Sequence, residues 1–331
     1  RINKNEIKHK FSSKTSKGIQ ISKFPIKWST PLAWILGYYY GDGSYSNPKY
    51  NGAHQVYFTT TEKKALSLIE DRVYEIFGNK PYSYDLKGKY KVNLNSVMSY
   101  ALIKVFPELE GKRPIDIPKE FIGDFLRGFF DADGNVHLRP LGKTIIKGVE
   151  CNSFDTPRVK FTLANEKLII WVKDLLNQLG IQTRINKGIA QCNGKKFNCY
   201  TILISGKDKI ERFAYLVGFD SYKENILYKG LKCNSKHYRV LQNSSVITLS
   251  LMKNPKNIKE IIQDTHLQKT QVSYSLKRLQ KLKIVIKKKI GKYNWNYSLN
   301  KNYKEYISHC TKIVYDKIKE NVYSIPIKEL S

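Results

Sequence analysis

Two stretches decide the reading of this chain: GYYYGDGSYS at Gly37–Ser46 and GFFDADGNVH at Gly128–His137. Each has a glycine, a run of large apolar or aromatic residues, and then one acid between small neighbours. The acids are Asp42, in Gly41-Asp42-Gly43, and Asp133, in Ala132-Asp133-Gly134. They lie about 90 positions apart, the length of a small domain. One such stretch is most simply a helix followed by a polar turn. Two at matching places in a repeat call for a shared reason.

Working outward, the same order of elements is expected on each side. Ser29-Thr30-Pro31 places a hydroxyl cap before a proline in the first turn of a helix. That helix carries Leu32, Ile35, Leu36 and Tyr39 on one face. Strands are expected over Ser44–Tyr50 and His54–Thr60, joined at Asn51-Gly52. Thr59 to Glu62 offers a capping box for a helix to Phe77. A hairpin of Pro81–Asp85 with Tyr90–Asn95 and a helix over Ser96–Phe106 complete the unit, αββαββα. After Pro118, the residues Phe121, Phe125 and Phe129 begin it again. Strands near Asn135–Arg139 and Arg158–Leu163 are expected across a long loop. A helix over Asn165–Leu179, a hairpin of Ile181–Asn186 with Asn198–Ile204, and a helix over Lys207–Val217 follow.

A third pattern runs from about residue 236. Helices over Asn257–Asp264 and Lys269–Leu282, a short turn between them, and a hairpin of Ile284–Ile290 with Tyr293–Leu299 read as a winged helix-turn-helix. From Gln268 to Lys292 there are nine Lys or Arg and no acid. Residues 301–331 read as a helix and a tail. The expected division is a basic arm at 1–27, one αββαββα domain at 28–111, a second at 112–231 opened by a linker at 112–117, and the winged helix with its tail at 232–331. The fold class is α+β, with two pseudo-symmetric domains forming an antiparallel saddle.

The charge says more about partners than about fold. Lys plus Arg is 58 against 28 acids, a formal net charge of +30, which points to a polyanion and first to nucleic acid. An AT-rich codon bias also raises Lys, Asn, Ile and Tyr, but it raises Glu less. Residues 1–27 hold eight basic residues and one acid and read as an arm that orders on a polyanion. Five cysteines without paired spacing argue for a reduced, intracellular protein. Cys192 and Cys199 could meet across a hairpin or bind zinc with Cys151. No signal peptide and no apolar run near 18 residues is present, so no membrane span is expected.

The paired acids can be placed by spacing. Gly37 and Gly41 share a helix face, as do Gly128 and Ala132, and a face without bulky side chains lets two backbones meet closely. Asp42 and Asp133 then lie at adjacent helix C-termini. Free carbonyls and partial negative charge gather there, and two carboxylates gain nothing from the dipoles. A bound cation makes the arrangement favourable, and oxygen ligands with open positions suit Mg²⁺. Beside DNA such a centre can activate water and stabilise a leaving oxygen.

With these residues in view the chain resembles the LAGLIDADG homing endonucleases in their single-chain, two-motif form. Ile35-Leu-Gly-Tyr-Tyr-Tyr-Gly-Asp42-Gly43 and Leu126-Arg-Gly-Phe-Phe-Asp-Ala-Asp133-Gly134 fill the nine motif positions. The first copy has Tyr40 where the motif has its earlier Asp. The resemblance covers about residues 28–219. It implies a monomer that makes a staggered double-strand break in a long duplex DNA site, with two or three Mg²⁺, which Mn²⁺ can replace. It implies Asp42 and Asp133 as metal ligands, with the carbonyls of Gly41 and Ala132 assisting. It also implies a lysine per half near the scissile phosphate: Lys207 in the second half, Lys91 or Lys89 in the first.

Outward hairpin residues are the expected DNA contacts: Ser44, Tyr45, Ser46, Lys49 and Tyr50, then Asn135, His137 and Arg139, with Lys89 and Lys195. In the winged helix, Thr270, Gln271, Ser273, Tyr274, Lys277 and Arg278 would enter a groove, while Lys287 through Lys289 and Lys292 would hold phosphates. An RNA maturase assisting an intron, or a regulator binding DNA without cutting, are the rival functions on this scaffold. The chain starts without a Cys or Ser nucleophile and ends without His-Asn, so it reads as an excised or inserted endonuclease segment rather than a self-splicing intein.

Overall fold

In a computed structural model of the chain, residues 26–47, 54–146, 149–154, 156–192, 194–233, 235–252, 254–290 and 294–318 are described. They divide into two compact units: 1–137 with 158–224, and 138–157 with 225–331. Among the described residues no helix is long and apolar enough to cross a membrane.

In the first unit, α1 spans Thr30–Asp42. Ser29 caps it, its hydroxyl accepting from the amide of Leu32 at 3.4 Å, and Pro31 sits in the first turn. Leu32 through Tyr40 are all buried. A helix apolar on every side belongs in the centre of a core rather than on its surface. Its counterpart α4, Ile122–Asp133, follows a single 3₁₀ turn at Lys119–Phe121. Both helices end alike. The amide of Gly43 bonds the carbonyl of Tyr39, and that of Gly134 bonds the carbonyl of Phe130. Both glycines have extended backbone, so they are needed for space. A Cβ on Gly43 would lie 2.6 Å from the Tyr39 carbonyl oxygen, and one on Gly134 2.5 Å from that of Phe130.

Each motif helix runs directly into a four-stranded antiparallel sheet. The first sheet comprises β1 (Gly43–Ser46), β2 (Gln55–Thr60), β3 (Tyr82–Asp85) and β4 (Tyr90–Asn93), in the order β1-β2-β4-β3. The second comprises β5 (Gly134–His137), β8 (Arg158–Leu163), β9 (Ile185–Cys192) and β10 (Lys195–Ile204), in the order β5-β8-β10-β9. The two orders are the same once matched, and so is the register: Gly43 faces Phe58, and Gly134 faces Phe161. Helices α2 (Lys63–Phe77), α3 (Ser96–Val105), α5 (Glu166–Gln178) and α6 (Lys207–Leu216) complete the two halves. The sequence repeat is therefore a repeat of fold. Tyr40, Phe125, Phe129 and Trp171 cluster where the halves meet.

Several expectations change. No side-chain capping box starts α2: its N-cap, Glu62, makes no such bond, and the Thr60 hydroxyl instead accepts from the Glu62 amide at 3.1 Å. The hairpin expected from Ile181 starts at Ile185, and its strands run on to Cys192 and back from Lys195. Cys199 lies opposite Gly188, and Cys192 opposite Lys195, so the two cysteines do not meet across the ladder. The long loop after β5 holds a hairpin of its own, β6 (Pro140–Ile146) with β7 (Val149–Phe154). Alternation is weak there and turn residues are scattered through it, which hides the strands. The Asn51-Gly52 turn lies outside the described residues.

The second unit contains that hairpin. It also holds most of α7 (Lys223–Cys233), then α8 (Ser235–Leu251), α9 (Ile258–Thr265), α10 (Lys269–Lys281), the hairpin β11 (Val285–Ile290) with β12 (Asn294–Leu299), and α11 (Tyr303–Ile318). Helices α7 and α8 were not foreseen, because Ser, Asn and Lys break the apolar period there. The helix, turn, helix and hairpin order expected from residue 257 is present. Asn257 caps α9 with a full capping box to Glu260. A Cβ on Gly230 would lie 2.3 Å from Leu138 Cδ2 and 2.4 Å from Pro157 Cγ, so the feet of the extra hairpin pack on α7.

Candidate active site and nucleic-acid face

The site starts from the contact of α1 with α4. A Cβ on Gly37 would lie 1.9 Å from the carbonyl oxygen of Phe125, and one on Gly128 2.0 Å from that of Trp34. One on Gly41 would lie 2.4 Å from Ala132 Cβ and 3.1 Å from Asp133 Oδ2. The small face thus brings backbone against backbone at both levels. Its last step delivers the carboxylate of Asp133 to the end of α1, beside Asp42.

Electrostatics register the pairing. Both aspartates remain exposed at the surface, yet enough protein surrounds them to disfavour charge. Burial raises the pKa of Asp42, opposed by Lys223 and Lys112 and by a hydrogen bond from Tyr38. Burial, and then the charge of Asp42, push Asp133 up from 3.8 to about 6, against the pull of Lys112 and Lys223.

Those two lysines are what the sequence reading missed. Lys112 Nζ donates to the carbonyls of Gly41 at 2.9 Å and Tyr40 at 3.1 Å. Lys223 Nζ donates to those of Asp131 at 2.6 Å, Ala132 at 3.2 Å and Phe130 at 3.4 Å. Each ammonium closes the free carbonyls of one motif helix, where the dipole favours a cation. Their charges cross over: of the two lysines, Lys112 acts more on Asp133, and Lys223 more on Asp42. Burial lowers the pKa of both lysines. The two aspartates oppose it at Lys112, and Glu62 and Asp131 join them at Lys223. Lys112 is the first residue of the stretch read as a linker, and Lys223 opens a helix not foreseen. Neither position has a local sequence signal, because only the fold returns them to the helix ends.

The expected lysines stand elsewhere. Lys91 lies on β4 with its ammonium 4.1 Å from the ring centre of Tyr57. Lys89 is exposed at the tip of the β3–β4 hairpin. Lys207 is the first residue of α6, and its side chain lies outside what is described. The carbonyls of Gly41 and Ala132, expected to assist a metal, accept from lysines. Among the described residues no group of three or more His, Cys, Asp or Glu is arranged to hold a metal. With those carbonyls engaged by the lysines, the donors left for a metal at the helix ends are the two carboxylates, an all-oxygen set that fits a hard divalent ion such as Mg²⁺.

The sheets present a polar outer face. In the first, Val56, Phe58 and Val92 point inward, while Ser44, Ser46, Gln55, Tyr57, Thr59 and Lys91 pair across the other side. Tyr45 is opposite Val56 and so faces inward, its hydroxyl 2.6 Å from His54 Nδ1, which corrects its expected outward role. In the second, Asn135 faces Lys160 and His137 faces Arg158, all four exposed, with Val136, Val159 and Phe161 beneath. Arg158 and Lys160 extend the expected set. Alternation along β8 would have found them. Lys195 and Arg139 are exposed. Lys49, Tyr50 and Lys292 lie outside the described residues.

In the second unit, Thr270, Tyr274 and Lys277 are exposed on α10, and Ser273 is half-buried. Arg278 instead turns inward, donating to Ser244 Oγ at 2.7 Å and Tyr306 Oη at 2.9 Å. Gln271 accepts from the Gln268 amide at 2.9 Å as part of the helix cap. Lys287 lies over Trp295, 4.0 Å from its ring centre. Of the six α10 residues expected in a groove, Arg278 and Gln271 are thus engaged within the second unit, and Thr270, Tyr274 and Lys277 are exposed.

Residues 120–218 match the LAGLIDADG-like domain family. The chain is 26% identical over 222 residues to a DNA polymerase of Thermococcus hydrothermalis, covering 61% of this chain and 12% of that protein. It is 24% identical over 222 residues to a probable translation initiation factor IF-2 of Thermococcus kodakarensis, covering 65% of this chain and 16% of that protein. An uncharacterized protein of Methanocaldococcus jannaschii is 24% identical over 225 residues, covering 63% of this chain and 74% of that one. The chain thus spans only a small part of the polymerase and the initiation factor. Among solved structures, a variant of the homing endonuclease I-DmoI aligns over 57% of this chain and 94% of that one, at 20% identity and a TM-score of 0.39.

Proposed function

We propose that this chain, whose residues 120–218 form a LAGLIDADG-like domain, is a site-specific, Mg²⁺-dependent DNA endonuclease that cuts both strands of a long target with a stagger. The observation that carries the reading is the pair Asp42 and Asp133 at the abutting ends of α1 and α4, each end closed by a lysine. A divalent ion held by Asp42 and Asp133 would supply the charge that activates water and stabilises the departing oxygen. The protein's own part is positional. Lys112 and Lys223 hold their amines beside the two acids, where negative charge grows as a phosphodiester is attacked. Asn135, His137, Arg158 and Lys160 on one sheet, with Ser44, Ser46, Tyr57 and Lys91 on the other, offer donors and cations to phosphates and base edges.

The net charge of +30 supports a polyanionic partner. Matches to parts of a DNA polymerase, an initiation factor and an ATP synthase subunit, three proteins of unrelated work, support an origin as an inserted, mobile segment. The α9–α10 pair with its hairpin acts as a winged helix that lengthens the footprint on DNA. A regulator that only binds would need neither the acid pair nor the lysines.

The reading is tested by incubating the chain with a genomic or randomised duplex library and Mg²⁺, and sequencing the broken ends. Recurrent staggered ends at one sequence are expected. An intact library under conditions where the protein binds duplex DNA would refute it.

A further inference from the structure

The motif position two residues before each acid differs between the copies: Tyr40 in the first, Asp131 in the second. The two side chains have unlike chemistry, yet each grips the segment that carries the lysine of its own half. The Tyr40 hydroxyl donates to the carbonyl of Arg113, the residue after Lys112. Tyr39 adds a bond to the Leu109 carbonyl at 2.9 Å. Asp131 is 3% exposed. Its Oδ1 accepts from the amides of Asp220 at 3.1 Å and Ser221 at 3.0 Å. Its Oδ2 accepts from the Asp220 amide at 3.1 Å and from Trp34 Nε1 at 2.9 Å. Two residues further on, Lys223 turns back to the carbonyl of Asp131 itself.

We propose that Tyr40 and Asp131 are paired positioning residues, each fixing the backbone that places one of the two site lysines, so that each governs one half of the site. A buried acid that accepts four hydrogen bonds from three donors could be no more than core structure. Against that, three of those bonds come from the amides of the two residues that lead into Lys223. The first half reaches the same end with a hydroxyl and a carbonyl, so the shared element is the segment held and not the bond used. The Trp34 bond also ties the second anchor to α1, and Arg72 both stacks 4.0 Å from the Trp34 ring and pairs with Asp220.

The placement of the lysines can be read without a DNA target. The full-length protein is treated with trace acetic anhydride, and the labelling rates of Lys112 and Lys223 are compared by peptide mass spectrometry. Asp131→Asn puts an amide N–H against amide donors, so the labelling rate of Lys223 should rise about tenfold while Lys112 stays unchanged. Tyr40→Phe removes only the hydroxyl, and should raise Lys112 about threefold with Lys223 unchanged. Equal changes at both lysines would show a merely structural role, and no change at either would show no anchoring. Both results overturn the proposal, and Tyr40→Phe keeps it open to refutation should Asp131→Asn fold poorly.

The catalytic consequence rests on the nuclease reading. On a target that the wild type cuts, each variant should slow nicking of one strand, a different one in each, so that nicked duplex accumulates. Equal slowing of both strands would contradict the division of labour. If the wild type cuts nothing, the nuclease reading fails while the labelling still decides the anchoring.

Discussion

Asp133 should give the site a measurable pH signature. Its folded pKa of about 6 lies above the ordinary 3.8 because burial and Asp42 oppose its charge. A raised acid favours folding below its unfolded pKa and loses that favour as pH climbs. In EDTA, Asp133→Asn should therefore gain in melting temperature over the wild type as the pH rises from about 4 to about 6, and hold the gain above that. A gap that stayed flat or shrank across the window would contradict the pairing. Mg²⁺ should close the gap by stabilising the wild type. The lysines make a second prediction at this scale. Lys112→Met or Lys223→Met should lower the cleavage rate by about a hundredfold to a thousandfold with DNA affinity changed far less. Cleavage within about threefold of wild type would remove them from the active centre. Both acids were legible in the sequence, since a repeat of Gly-Asp-Gly after an apolar helix marks itself. Neither lysine was, since each reaches its motif-helix end only by a return of the chain from about 70 or 90 positions away.

Among the elements, the contact of α1 with α4 is the one that cannot yield. A methyl group on Gly37 would sit 1.9 Å from the Phe125 carbonyl oxygen, and one on Gly128 2.0 Å from that of Trp34. The opposing atoms are backbone, so relief requires the helices to part. Gly37→Ala or Gly128→Ala should cost at least about 1–3 kcal/mol of stability, measured by denaturant unfolding, and reduce cleavage as the acids separate. Full stability in either variant would mean the helices do not meet there. This contact was readable from spacing alone, because four-residue spacing of small residues has one geometric meaning on a helix. The order of elements along the chain was readable from the repeat: two halves with one αββαββα pattern must solve one packing problem. The hairpin β6–β7 and helices α7 and α8 were not. The buried face of α8 carries Ser244, Ser245 and Thr248 beside Ile247 and Leu251, which hides its period, and packing within the second unit rather than local pattern defines these elements, as the seat of Leu138 and Pro157 on Gly230 shows.

At the scale of the molecule, charge and extent set the expectations. A chain of net +30 that covers about ten phosphates should lose DNA affinity with a slope near −9 in log affinity against log salt. Removing residues 232–331 should shorten the protected footprint and flatten that slope. An unchanged footprint would mean that the exposed Thr270, Tyr274 and Lys277 touch no DNA. Arg278, bound to Ser244 and Tyr306, should matter to the stability of the second unit instead. Its misassignment is instructive: a cation on a helix reads as a groove contact until the partner behind it is seen.

The account stands on two carboxylates acting as one centre. The direct measurement runs the wild type, Asp42→Asn and Asp133→Asn in parallel on one Mg²⁺ cleavage selection, with duplex binding measured for each. The wild type should cut both strands, and each variant should bind the selected duplex with similar affinity and leave it whole. Cleavage at the wild-type rate by either variant would contradict the account.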